Sequence, residues 1–288
     1  MTTRTLKQVI KSIATSDGGG VKLLRSIGQH QNLRLDPFLM LDEFSSMNAD
    51  DYIAGFPDHP HRGFETITYM LDGHMLHSDH LGNQGDLKSG AAQWMTAGRG
   101  IIHSEMPQQN SGRMRGFQLW INLPAKEKMK PAAYQDIQPE QMPIINLAHG
   151  GTVKIIAGEA EIEDQTIVGP IQSSSTEPLF LDIRLPADAD FILPIAPNHN
   201  AFVYPYEGQL EIGLGTEKQT LTTHSAGLLS DGDYLTVQAD EENLAFLLLA
   251  AKPLHEPVVQ YGPFVMNTKE EIEQAIADYR NGRLVLPD

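Results

Sequence analysis

Histidine and carboxylate pairs set two residues apart are the parts of this 288-residue chain best suited to chemistry. In "GFPDHPHRGFETITYMLDG", residues 55–73, His59 and His61 flank a proline, and Glu65 opens an alternating run. In "GAAQWMTAGRGIIHSEMP", residues 90–107, a glycine turn leads to His103 and Glu105. Imidazoles and carboxylates are the donors of borderline divalent metals. On extended backbone successive side chains alternate, so each pair shares one face, and two neighbouring strands converge four donors on one ion. Either pair alone is cheap, with about 0.4 H-x-H and roughly 0.7 H-x-E expected from composition. Their joint occurrence, each beside a turn and strand-like sequence, is what points to a metal.

Strands must carry these pairs, and the chain is rich in them. Short runs such as "FETITYML", "FQLWINL", "VKIIAG", "LFLDIRL", "AFVYPY" and "LAFLLLA" recur between Gly, Pro, Asn and Asp, which predicts an all-β sandwich or barrel. One helix is predicted near the end of the chain. In "NTKEEIEQAIADYRNGRL" Thr268 is the N-cap with Glu271 three residues on, Ile272, Ala275, Ile276 and Tyr279 form the apolar face, and Gly282 is the stop. Residues 124–145 are charged, punctuated by proline and poor in strand signal, the pattern of a linker. The chain therefore divides into a metal-binding barrel over 1–123, the linker, a second barrel over 146–266, and a helix and tail over 267–288.

Composition narrows the function. Twenty-one Lys and Arg against 37 Asp and Glu give a net charge of −16, which opposes attraction to phosphate backbones and argues against direct nucleic-acid binding. There is no cysteine, so a metal must be held by nitrogen and oxygen. The N-terminal stretch lacks the apolar core of a signal peptide, and the longest apolar run, "LAFLLLAA", is too short to span a bilayer. The expectation is a cytoplasmic protein with no membrane partner.

The second half repeats the first loosely, "NHNAFVYPYEGQLEIG" answering "DHPHRGFETITYMLDG". His199 stands where the first histidine would be, but Ala201 replaces the second, and "YLTVQ" offers Leu235, Thr236, Val237 and Gln238 where the first half has His103 and Glu105. A metal-free second barrel is expected, with His199 an ordinary loop residue. His74, His77 and His80 in "HMLHSDH" read as surface or rim residues. Asp42 and Glu43 read as structural pairing groups, and Met40, Leu41, Phe44, Met70, Trp94 and Trp120 as core.

The blocks "LDPFLMLDEF", "FPDHPHRGFETITYML", "MTAGRGIIHSEM" and "GFQLWINLPAKEKMKPAAYQ", in this order, resemble those of the pirin family, bicupin proteins of two β-barrels, and the similarity runs nearly the length of the chain. The resemblance implies one metal, usually iron, held by His59, His61, His103 and Glu105. It further implies quercetin 2,3-dioxygenase activity, with a flavonol and O₂ as partners, and in animals a role as a redox-responsive co-regulator acting through protein partners. The general cupin pattern instead nominates Glu65, which shares parity with the histidines and stays as a rival ligand. The donor set itself also admits Mn, Co, Ni, Cu or Zn. Glu105, at the metal, is the natural acceptor of a proton from a coordinated hydroxyl.

Overall fold

The computed structural model describes residues 2–285 except 174, 214, 216 and 217. It is built of strands, with two cupin barrels and one α-helix near the C-terminus. In chain order the first twelve strands are β1 (Leu6–Lys11), β2 (Ile13–Asp17), β3 (Val21–Arg25), β4 (Phe38–Ser46), β5 (Phe56–His61), β6 (Phe64–Asp72), β7 (His74–Asp79), β8 (Gln84–Lys88), β9 (Ala92–Thr96), β10 (Ile101–Pro107), β11 (Met114–Asn122) and β12 (Ala133–Ile137). Among the described residues no helix is long and apolar enough to cross a membrane.

The two compact units exchange segments, where a straight division along the chain was expected. One unit takes the chain up to Ser12, residues Leu35–Pro37 and Glu140–Pro253; the other takes Ile13–Arg34, Phe38–Pro139 and everything from Leu254 on. Strand β1 thus pairs with Ser225–Leu229 of the later barrel. The helix packs through Ile272 and Ala275 on Phe264 and Met266 in the earlier one. The expected linker also holds a strand: β12 pairs with β9 along its whole length despite its charged, proline-flanked sequence. Only alternate residues of β12 face inward, so its apolar content is low and the strand was hidden.

In the earlier unit a seven-stranded antiparallel sheet, order β12-β9-β6-β11-β4-β3-β2, belongs to the same unit as a four-stranded sheet, order β5-β10-β7-β8. Cross-strand register puts Asp136, Gln93, Thr68, Gln118, Asp42 and Arg25 in one row across the large sheet. Directly paired residues share a face, so this row is a band of polar groups on an otherwise apolar wall. It faces the small sheet, since Glu105 of β10 accepts hydrogen bonds from Thr68 Oγ1 and Gln118 Nε2, both at 2.9 Å. At the sheet edge Gly85 of β8 meets the same band. A Cβ there would lie 2.5 Å from Gln93 Nε2 and 2.6 Å from both Asp136 carboxylate oxygens, so any larger residue would displace the ends of these two side chains.

The later unit has a seven-stranded sheet in the order Leu6–Lys11, Ser225–Leu229, Asn200–Glu207, Leu244–Ala251, Leu179–Leu185, Thr152–Ala157, Ile144–Asn146, and a four-stranded sheet of Asp190–Pro194, Tyr234–Ala239, Leu210–Ile212 and Gln219–Leu221. Its interior is one apolar cluster that includes Leu181, Ile183, Leu210, Phe246 and Leu248. Leu235 and Val237, which stand in the place of His103 and Glu105, belong to that cluster and are each 1 % exposed. His199 is not an ordinary loop residue: it is buried, its Nε2 3.6 Å from Glu177 Oε2, and burial lowers its pKa.

The C-terminal helix, Lys269–Arg280, has the expected capping box: Thr268 Oγ1 accepts from the Glu271 N–H, and the Glu271 carboxylate accepts from the Thr268 N–H. Gly282 follows it at φ +66°. The segment ahead of the helix is fastened to the earlier unit by Lys128. This side chain is 1 % exposed, and its Nζ donates to Gly63 O at 2.8 Å, Asn122 Oδ1 at 2.7 Å and Val265 O at 2.9 Å. Burial pulls its pKa down to about 7, while its three acceptors match in number the three protons of the ammonium form. Replacing Lys128 by Met strands two buried carbonyls and an amide oxygen, and we expect a loss of about 2–4 kcal/mol, seen as a lower thermal unfolding midpoint.

Candidate metal centre

Strand pairing assembles the histidines. His103 of β10 lies opposite His59 of β5, and Ile101 opposite His61, so the three rings meet on one face. Their ring centroids are 4.3 Å (His59–His103), 4.7 Å (His59–His61) and 5.0 Å (His61–His103) apart. One ligand nitrogen from each lies within 4.8 Å of the other two.

Two glycine turns deliver these strands. Gly63, at φ +91°, follows His61, and its N–H donates to the Gly98 carbonyl at 2.8 Å in the turn before His103. A Cβ on Gly63 would sit 2.0 Å from Val265 O, so the C-terminal segment presses directly on the turn. Arg62 locks the same place: its Nε donates to Arg99 O, and its Nη1 to Asp278 Oδ2 of the helix at 2.8 Å.

His61 and His103 are set up as neutral donors. Burial holds His61 well below the usual imidazole range, and neighbouring His59 adds to this. His103 is lowered in the same way by burial and by His61, His59 and His77. His59 Nδ1 lies 2.8 Å from Pro57 O and donates to it, which leaves Nε2 with its lone pair. The Nδ1 of His61 and the Nε2 of His103 are buried with no hydrogen-bond partner. Neutral imidazoles with clustered, unsatisfied nitrogens fit a divalent transition metal, which would satisfy atoms that otherwise cost free energy.

The two carboxylates are placed differently. Glu105 is 3 % exposed, beside the triad on β10, with both oxygens taken by Thr68 and Gln118, and its carboxylate is not among the atoms gathered within 4.8 Å. Glu65 is turned to another partner set: Oε1 accepts from Thr96 Oγ1 at 2.7 Å and from Lys130 Nζ at 2.9 Å. An ion pair to lysine competes with metal ligation, which speaks against the rival pattern.

A cavity of about 560 Å³ opens beside the triad, within the size range of small-molecule sites. His59, His61, Gln118, Trp120, Met40, Leu39 and Phe56 line it, with Arg25, Asp17, Asp58 and the Gly262–Pro263 turn. Trp120 and Met40, expected as plain core, are therefore also cavity wall; Trp120 packs on His61 at 5.1 Å and on Phe64 at 4.3 Å. Asp42 does pair, with Arg25 Nε at 2.7 Å and Nη2 at 2.6 Å, and Glu43 lies 3.5 Å from Arg115. Burial alone would lower the Arg25 pKa, but Asp42 and then Asp17 outweigh it and hold the guanidinium charged.

Sequence reasoning missed His77. It is not a surface or rim residue: it is 1 % exposed, lies opposite Glu105 on β7, and its Nδ1 is 3.3 Å from His103 Nδ1. Tyr134 of β12 stacks on its other side, ring centroids 5.4 Å apart. His74 instead pairs with Asp86, and His80 Nδ1 accepts from the Ile102 N–H at 3.3 Å. The signal that would have found His77 is parity: 74 and 80 share one face of an extended segment, and 77 takes the other.

Comparison with known proteins agrees with this architecture. Residues 20–121 match the Pirin family model and residues 180–285 the Pirin C-terminal cupin domain. A Pseudomonas aeruginosa protein provisionally named quercetin 2,3-dioxygenase is 52% identical over 271 residues, 94% of each chain. Human pirin is 42% identical over 270 residues, 93% of this chain and 89% of the human one. The crystal structure of a quercetin 2,3-dioxygenase from Acinetobacter baumannii superposes with a TM-score of 0.88 at 32% identity, covering 98% of this chain and 99% of that one.

If the triad holds the metal, a His59→Ala, His103→Ala double variant leaves one imidazole, and metal content by elemental analysis should fall from about one equivalent to near zero. Glu65→Gln, away from the triad's donors, should keep that equivalent.

Proposed function

The chain belongs to the pirin family, and from that premise we propose that it is a metal-dependent dioxygenase that opens flavonols such as quercetin with O₂. The observation that carries the proposal is the cluster of three imidazoles, two of them buried, of which His59 and His61 line a cavity large enough for a small aromatic ligand. His59, His61 and His103 hold the metal, most suitably iron, with Glu105 completing the set. When bound, the metal supplies Lewis acidity toward a substrate oxygen and a centre for O₂ chemistry.

The remaining work falls to the chain's own groups. Glu105 takes the proton of the flavonol 3-hydroxyl. Its two oxygens accept from Thr68 and Gln118, which fix the direction in which the carboxylate faces the site. Trp120, Met40, Leu39 and Phe56 give the aromatic substrate an apolar seat and exclude water from the reacting face. The Phe64–Trp120 packing fixes the indole, so the seat is formed before the substrate arrives.

The test is oxygen uptake and carbon monoxide release by the iron-loaded protein with quercetin. Both are expected in equal amounts. Glu105→Gln should lower turnover by about 10²–10⁴-fold, because the amide cannot take the proton and presents an N–H to groups that are themselves donors. Absence of both gases from fully loaded protein would overturn the enzymatic reading and favour a redox-responsive binding protein.

A further inference from the structure

His77 has no part in the chemistry above, yet it makes the one side-chain contact to a ligand histidine that decides where that histidine carries its proton. The two Nδ1 atoms of His77 and His103 are 3.3 Å apart, and both rings are about 1 % exposed, so no water competes for the contact. One nitrogen must donate and the other accept. If His77 donates, the proton of neutral His103 sits on Nε2, a buried atom without a partner, and that nitrogen is closed to a metal. If His103 donates, its Nε2 lone pair is free, and the unpartnered proton moves to the Nε2 of His77, buried and also without a partner. Either arrangement leaves one buried N–H unsatisfied, so the apo protein gains little from the choice. A metal at the triad decides it.

We propose that His77 is the positioning residue of the metal centre: it accepts the Nδ1–H of His103 and thereby fixes the ring and tautomer that turn Nε2 to the ion. The inference rests on the triad's holding a metal. His77 is itself held for the task. Tyr134 stacks flat on it at an interplanar angle of 20°, and the tyrosine hydroxyl donates to Gln84 O at 2.9 Å, which anchors the stack to the neighbouring strand β8. The ring cannot swing away from His103 without breaking that stack. An acceptor behind a metal-bound imidazole orients it and raises its basicity, and losing such a partner commonly costs 10- to 100-fold in metal affinity.

The test uses the full chain, with cobalt(II) as the metal and its d–d absorption as the signal, in competition with a chelator. His77→Leu removes the acceptor and should raise the cobalt dissociation constant about 10- to 100-fold. His77→Gln, whose amide oxygen accepts the same N–H, should recover most of that loss; a merely space-filling role would not distinguish the two variants in this direction. Long-range ¹H–¹⁵N spectra of the histidine side chains in the cobalt-free, zinc-loaded wild type should show His103 protonated at Nδ1. Wild-type affinity in a folded His77→Leu variant overturns the proposal, and so does a His103 proton on Nε2. If His77→Leu fails to fold, the Gln variant and the wild-type spectrum still decide. A wild-type chain that binds neither cobalt nor zinc overturns the metal assignment itself, a failure distinct from unchanged affinity in the variant.

Discussion

Of three imidazoles packed with one nitrogen each inside 4.8 Å, no two can be charged together, because like charges at that distance in a desolvated site repel strongly. Much of the earlier barrel follows from this constraint. Burial keeps His61 and His103 neutral. The nearest carboxylate, Glu105, is occupied by Thr68 and Gln118, and Glu65 by Lys130 and Thr96. The polar row across the large sheet supplies Thr68 and Gln118 in register and ends in the Arg25–Asp42 pair at the cavity. A buried polar band of this kind is tolerable only because its members are paired with one another.

The two barrels share a strand arrangement and differ in what fills them. In the later unit the inward positions are Leu, Ile, Val and Phe, interlocked into one cluster. Fully burying each such side chain contributes about 1.5–3 kcal/mol, so that barrel is stabilised by the same positions at which the earlier one spends polar groups. The earlier barrel places polar groups at inward positions and gains fixed polar contacts, such as those of Lys128 Nζ. Site and scaffold are separated between two copies of one architecture.

Much of this was legible in the sequence, and what was hidden has a physical reason. The H-x-H and H-x-E pairs, the all-β pattern and the capped helix rest on local periodicity, which the chain displays openly: Thr268 and Glu271 close the capping box as their spacing implies. His77 and Tyr134 come to lie beside the triad, and Asp136 in the polar row, only through register. That His77 lies opposite Glu105, and Asp136 opposite Gln93, is fixed by long-range pairing that leaves no trace in nearby residues. The segment around β12 misled for a related reason, since its inward residues are polar and mimic a linker. His199 misled because a loop histidine buried against Glu177 looks, in sequence, like an exposed one.

The exchange of terminal segments sets an order of events during synthesis. The ribosome makes the triad's strands β5 and β10 well before the carbonyl of Val265 that presses on Gly63 and the Asp278 carboxylate that holds Arg62. Strand β1 has no partner until Ser225–Leu229 is made. No single cut of the gene yields either barrel with all its parts, and the turns carrying His61 and His103 acquire this support only after Val265 and Asp278 have been made. A fully braced triad therefore exists only once those later segments have folded onto it, and any ion it takes at that stage is drawn from whatever surrounds the folded protein.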